Sequence, residues 1–402
     1  MSDDKPMPLA GVRVIDVATM LAAPFCASIL GEFGAEVIKV EMPGKGDPLR
    51  HFGTMTETGS TLNWLNENRN KKSITLDLRK DAGATILRRL VSDCDILVEN
   101  FRPGTMERWG LGFDALKSLN DDLIMVRISA YGQDGPYRNR PGFARIAHGF
   151  SGLALLAGDP DGPPVVPGST SLGDYISGLY GALGALLAYT SRERYGVGQT
   201  IDIGLYEGVF RMLDELAPAY ARSGTVRQRM GADTVNAVPH SHYKTNDGAW
   251  VALACSTDKM FERLAKVMDR VDLVAADQYA TIGQREAGRD EINQIVAAWI
   301  GSLSRDEVIQ RCLDGEVPIG PLNDIADIFS DPQFAARENL LKVEDPRAGE
   351  VVIPNVVPRL SETPGRFRSL GPDLGEHNRE IYTDELGFSA EELRRLADDG
   401  VI

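Results

Sequence analysis

Residues 12–41 read VRVIDVATMLAAPFCASILGEFGAEVIKVE. Val12 to Val17 is a short apolar run of strand length, Pro24 to Gly34 has the character of a helix, and Glu36 to Glu41 is a second strand. Strand, helix and strand in this order make a βαβ unit, which implies a parallel sheet. The alternation continues outward. Ser73 to Leu78, Asp95 to Val98 and Leu123 to Ile128 read as further buried strands, and Lys80 to Ser92 spaces Ile86, Leu87, Leu90 and Val91 as a helix does. A long helix is predicted from about Asp174 to Arg192, then a strand at Thr200 to Ile203 and a helix near Glu207 to Leu216.

The middle of the chain changes character. Ser223 to His242 is polar and irregular and reads as a linker. Tyr243 to Ala254 reads as a hairpin turned at Asn246-Asp247-Gly248, and helical patterns run from Lys259 to about Asp314. Pro318 to Leu322 interrupts them. The tail after Asp345 returns to short strands and turns, with a last helix near Ser389 to Asp398.

The 402 residues are 43% hydrophobic and 25% charged, with 43 Lys+Arg against 58 Asp+Glu and a net charge of −15. These proportions fit a soluble globular protein of two to three domain-sized units. The longest basic run is Arg69-Asn70-Lys71-Lys72, so no nucleic-acid partner is expected. Tyr175 to Ser191 is Gly- and Tyr-rich and short of the ~20 apolar residues a membrane span needs. The opening MSDDKPMPLAG has no positive region before an apolar run, so no secretory leader is expected. Cys26, Cys94, Cys255 and Cys312 are scattered without a C-x-x-C pair, which fits a reduced, cytoplasmic protein.

Glu41 ends the second strand, where a ribose-binding acid would sit, but Ala18 to Pro24 lacks G-x-G-x-x-G, so NAD is not an expected cofactor. No G-x-S-x-G marks a serine nucleophile. His240 and His242 have no other Cys or His close in sequence, so they read as loop histidines and no metal is expected. Lys39, Arg50, Arg69, Lys71, Lys72, Arg102 and Arg108 recur beside strand ends. They either hold an anionic ligand at the sheet's carboxyl end or form a solvated face of ion pairs. Asp174 begins a helix of apolar and small residues, Gly168-Ser-Thr-Ser-Leu-Gly-Asp174-Tyr-Ile-Ser-Gly-Leu-Tyr-Gly181. Two readings stand: an N-terminal cap, or a carboxylate kept ionised by the helix dipole for nucleophilic attack. Gly178, Gly181 and Gly184 allow another backbone or a ligand to approach closely.

A series of motifs, in order along nearly the whole chain, adds a resemblance. They begin with Val14-Ile-Asp16, Gly34-Ala-Glu-Val-Ile-Lys39-Val-Glu41-x-Pro43 and Gly46-Asp47-x-x-Arg50. Asn70-Lys71-Lys72-Ser73-Ile-x-Leu-Asp77-Leu, Glu99-Asn100-Phe101-Arg102-Pro103-Gly104-x-x-x-Arg108, Gly135-Pro136-Tyr137 and Leu172-Gly173-Asp174 follow. Gly320-Pro321-Leu-Asn323, Asp331-Pro332-Gln333 and Gly371-Pro372-x-Leu374-Gly375-Glu376-His377 complete the set. With these the chain resembles the class III CoA-transferases, which include formyl-CoA:oxalate and carnitine CoA-transferases and the α-methylacyl-CoA racemases.

The resemblance implies an α/β fold: a Rossmann-like large domain with a parallel sheet, a smaller α+β domain, and an interlocked homodimer. Residues 1–222 and 326–402 would form the large, CoA-binding domain, and 223–325 the small one. Coenzyme A enters as an acyl-CoA substrate beside a small carboxylic acid. Asp174 becomes the expected nucleophile, passing through mixed-anhydride and aspartyl-CoA thioester intermediates that demand a dry site. Lys39, Lys72, Asn100, Phe101, Arg102 and Arg108 match family positions expected to hold CoA.

Two departures narrow the reading. Phe143 stands where the racemases carry a catalytic His, and a phenyl ring cannot exchange an α-proton. Gly231 to Pro239 lacks the glycine-rich run that shields the intermediate in the oxalate-dependent transferase. Arg145 and His148 replace residues commonly neutral in the family, and with His240 they are candidates to clamp a second carboxylate. A short dicarboxylic acyl-CoA is therefore the expected substrate, through C1–C4 transfer within mesaconyl-CoA or from succinyl-CoA to a dicarboxylate. A racemase or isomerase, or a non-catalytic acyl-CoA-binding homologue, is the alternative.

Overall fold

The computed structural model describes residues 5–57 and 59–402. The first four residues of the stretch read as leader-free lie outside the described residues. The chain divides into two compact units. The larger takes the chain up to Ala154, Val166–Ala221 and Ala336–Ile402; the smaller takes Leu155–Val165 and Arg222–Ala335.

Six strands form the sheet of the larger unit: β1 Arg13–Asp16, β2 Glu36–Glu41, β3 Lys71–Thr75, β4 Ile96–Glu99, β5 Ile124–Ser129 and β6 Thr200–Gly204. All pairs are parallel, in the order β3-β2-β1-β4-β5-β6. The order reverses between β1 and β4, the switch point at which doubly wound sheets open a crevice beyond their carboxyl ends. β1 to β5 are buried on both faces, as helix-covered parallel strands must be, while the edge strand β6 is partly exposed.

Helices α1 Ala22–Glu32, α2 Leu62–Glu67, α3 Asp81–Val91, α4 Thr105–Arg108, α5 Phe113–Lys117, α6 Ala144–Phe150 and α7 Leu153–Leu156 precede the long α8, Leu172–Tyr195. α9 follows β6 at Leu205–Arg211, where the Glu207 carboxylate accepts the Gly204 N–H at 2.7 Å. One core lies between the sheet and α1 and α8; another lies on the opposite face under α3. The strand expected at Ser73–Leu78 begins two residues earlier, because Lys71 enters the strand with its charge buried against Asp16.

The glycines of α8 set its approach to α1 and to β6. A Cβ at Gly178 would lie 2.6 Å from the Ala22 carbonyl oxygen and 2.9 Å from Phe25 Cδ1. At Gly181 it would meet Cys26 Sγ at 3.2 Å, and at Gly184 it would meet Ile201 Cγ2 at 2.9 Å.

In the smaller unit, β7 His240–Lys244, β8 Trp250–Ala254 and β9 Ile319–Pro321 form an antiparallel sheet. The first two make the expected hairpin, with Lys244 opposite Trp250 and Gly248 at φ +84°. α10, Leu216–Ser223, runs from the larger unit into this one, and α11 Asp258–Val267, α12 Ile282–Ala287, α13 Arg289–Ile300 and α14 Arg305–Asp314 follow β8. No helix among the described residues is long and apolar enough to cross a membrane. All four cysteines are free and buried.

Because the atom nearest a Cβ at Gly178 is a backbone oxygen, Gly178→Ala is expected to overpack the α1–α8 seam. A stability loss of about 1–3 kcal/mol in urea unfolding is the expected outcome.

Candidate active site

Asp174 is the third residue of α8. Ser171 holds the cap position but makes no side-chain cap hydrogen bond, so Asp174 lies inside the helix and is not its cap. Its N–H donates to the Ser171 carbonyl at 2.9 Å. Its carboxylate has no hydrogen bond or ion pair among the described residues. Burial alone pushes its pKa up to about 6.

The residues flanking Asp174 are both anchored. The Gly173 N–H donates to His148 Nε2 at 2.9 Å. His148, on α6, is 1% exposed, and burial with Arg145 nearby holds its pKa down, which favours the neutral ring. On the other side, the Tyr175 hydroxyl donates to Glu67 Oε1 at 3.1 Å, and its ring meets Phe25 edge-on at 4.9 Å. Burial raises the Glu67 pKa, and Asn66 Nδ2 donates to the same carboxylate at 2.7 Å. Neither Glu67 nor Tyr175 stood out in the sequence, since neither lies in a charged run or a spaced motif.

The substrate-carboxylate candidates separate. Arg145 is exposed on α6, with no hydrogen bond or ion pair among the described residues, and Phe143, 72% exposed, precedes it. His148 is corrected: its ring is enclosed and its Nε2 is taken by Gly173. His240 opens β7 in the smaller unit, half-buried, with Ser256 Oγ 3.5 Å from its Nδ1, and His242 lies exposed on the same strand. Among the described residues no group of three or more His, Cys, Asp or Glu is placed to hold a metal.

Of the CoA candidates, four gather after β4. Asn100 ties the loops following β1 and β4, accepting the Thr19 N–H at 2.9 Å and donating to the Thr19 carbonyl at 2.7 Å. Phe101 packs edge-on against Trp109 at 5.1 Å. Both rings line a cavity at the carboxyl ends of the strands, with Val17, Val40, Leu76 and Leu78 as further apolar walls. Arg102 and Arg108 are exposed beside it in sequence, Arg108 donating to Thr105 Oγ1 at 2.9 Å.

Two of the CoA candidates stand elsewhere. Lys39 is wholly buried: its ammonium sits 3.1 Å from Asp47 and 3.6 Å from Asp16 and donates to the Ala18 carbonyl, so its charge is engaged inside the protein and does not face solvent. Lys72 pairs in register with Ile38 near the start of β3, toward the sheet's amino end, and is bound to Glu36 and Glu380. Arg50 is likewise internal, gripping Glu41 through two 2.7 Å bonds, with its guanidinium 3.7 Å from the Trp64 ring centre.

A family model described as CoA-transferase family III matches residues 9–378. The chain is 56% identical over 397 residues to the succinyl-CoA–L-malate CoA-transferase alpha subunit of Chloroflexus aurantiacus, covering 98% of this chain and 93% of that protein. It is 44% identical over 401 residues to the succinyl-CoA–D-citramalate CoA-transferase of the same species, covering 100% of both. Among solved structures, a CAIB/BAIF family protein from Brucella suis matches with a TM-score of 0.83 at 32% identity, covering 94% of this chain and 100% of that one.

The unpartnered Asp174 carboxylate has a stability consequence. The folded chain favours the protonated acid, so ionisation destabilises it progressively from the unfolded value near 3.9 up to about 6 and fully above that. Asp174→Asn is therefore expected to stabilise the protein by up to about 3 kcal/mol at pH 8. The gain should vanish near pH 4, as read from urea unfolding at both values.

Proposed function

Because this chain belongs to CoA-transferase family III, we propose that it carries CoA from succinyl-CoA to a short hydroxydicarboxylate such as malate or citramalate, with Asp174 as the nucleophile. The observation that carries this reading is the Asp174 carboxylate itself, half-buried yet unpaired at the first turn of α8. A carboxylate with a raised pKa is a stronger nucleophile once ionised, and enclosure protects an anhydride from water. The names of the two Chloroflexus relatives support the substrate class.

In the proposed sequence, an Asp174 oxygen attacks the thioester carbonyl and the C–S bond breaks. This leaves an aspartyl–succinyl anhydride and CoA thiolate. The thiolate attacks the aspartyl carbonyl, expels succinate and forms an aspartyl-CoA thioester. The acceptor carboxylate then attacks that thioester and expels the thiolate, giving an aspartyl–acceptor anhydride, and the thiolate attacks the acceptor's carbonyl to form the new acyl-CoA and release the Asp174 carboxylate. Every step exchanges one nucleophile for one leaving group, so no redox partner is needed. The cavity of Phe101, Trp109, Leu76 and Leu78 suits the adenine ring of CoA, with Arg102 and Arg108 on the same loop for its phosphates. Arg145, exposed and unpaired beside Phe143, is proposed to meet the far carboxylate of the dicarboxylate.

Transfer between separate donor and acceptor is preferred over C1–C4 transfer within mesaconyl-CoA, because both relatives' names give a donor and an acceptor. A second copy of the chain is the proposed partner. Leu179, Leu183, Leu186 and Leu187 form an exposed apolar row along α8 that fits burial in an assembly.

Hydroxylamine trapping followed by mass spectrometry should find a modification on Asp174 after mixing with succinyl-CoA, and none in Asp174→Ala, which should also lose exchange. No modification with succinyl-, malyl- or mesaconyl-CoA would overturn the reading. Since only the ionised carboxylate attacks, kcat/KM should rise with pH through about 6 and level above it. Arg145→Ala should raise the KM for malate by roughly 10-fold or more while leaving CoA binding near its original strength.

A further inference from the structure

The N-terminal N–H groups of a helix have no partner within it, and a cap side chain normally accepts one from the second or third residue. In α8 the cap residue Ser171 makes no such bond. The N–H of the second residue, Gly173, is taken instead by the imidazole of His148, from a different helix. This bond lies one residue before Asp174.

We infer that His148 is a positioning residue for Asp174, capping the nucleophile's helix from α6 through the Gly173 N–H and not touching the substrate. The inference rests on the reading of Asp174 as the nucleophile. The geometry fixes the ring's state. Nε2 accepts, so the single proton of the neutral ring sits on Nδ1, which is buried without a hydrogen-bond partner among the described residues. With the ring 1% exposed, His148 has one strong polar contact, and that contact holds the turn bearing Asp174. Losing it leaves a buried N–H unsatisfied where the chain must hold a carboxylate within reach of a thioester carbonyl. Small displacements of a reacting group reduce rate steeply.

The pair of variants that tests this is His148→Gln and His148→Leu. Glutamine Oε1 lies the same number of bonds from Cβ as the imidazole Nε2 and can accept the Gly173 N–H; leucine cannot. With succinyl-CoA and malate, His148→Leu is expected to lower kcat roughly 10- to 100-fold while the KM for each substrate changes by less than about 3-fold. His148→Gln is expected to recover most of that loss. Equal kcat values in the two variants would overturn the positioning role. A rise in malate KM with kcat retained would return His148 to the substrate's carboxylate. A readout independent of activity is the tautomer: 15N-histidine NMR of the full chain should show a protonated Nδ1 and an unprotonated Nε2 for His148. The opposite tautomer would overturn the inference even if His148→Leu fails to fold. Absence of exchange in the unsubstituted protein would instead remove the Asp174 reading, which separates the two failures.

Discussion

The seam between α1 and α8 is the constraint on which the site depends. Gly178 brings α8 so close to the Ala22 carbonyl that no side chain fits between them. A helix held that tightly transmits its position along its length, and its first turn carries Asp174. The turn is then pinned at two further points, by His148 at Gly173 and by Glu67 at Tyr175. Asp174 itself is left without a polar partner, between neighbours that are fixed.

The buried charges around Asp16 follow the opposite rule. Asp16, Lys39, Asp47 and Lys71 are almost wholly enclosed, and each is engaged more than once. Lys71 donates to Asp16 at 2.9 Å, to the Pro24 carbonyl at 2.7 Å and to Asn68 at 3.0 Å. Asp47 accepts from the Met20 and Leu49 N–H groups while facing Lys39. A buried ion left alone is strongly unfavourable, so such a cluster persists only when every member is satisfied. It joins the loop after β1 to the loop after β2, and Asn100 joins the loop after β1 to that after β4. The walls of the crevice are thereby fixed before any ligand arrives. Paired charges shape these loops, while the Asp174 carboxylate stands unpaired, and its burial without a partner costs stability.

Sequence periodicity located the strands because buried parallel strands are rich in apolar runs, and β1, β2, β4 and β5 lie where those runs are. It placed β3 late because Lys71 and Lys72 interrupt the apolar run, whereas in the fold one is buried beside Asp16 and the other is tied to Glu36 and Glu380. The short helices α2 and α6 left no periodic signal of their own, yet they supply Glu67 and His148. Lys39 shows the limit of motif matching: a basic residue at a family position gives its identity, while its neighbours decide whether its charge faces a ligand or an aspartate.

The sequence by itself determined the parallel α/β architecture, the hairpin at Asn246-Asp247-Gly248 and the place of Asp174 at the start of a long helix, because apolar runs and turn residues are local properties of the chain. It left open whether Asp174 caps α8 or stands free, and it set His148 beside Arg145 as an equal candidate. Only the tertiary structure resolved these points. Burial, the identity of a hydrogen-bond partner and the shift of a carboxyl pKa arise from residues far apart in sequence: His148 meets Gly173, and Glu67 meets Tyr175, only when the chain has folded.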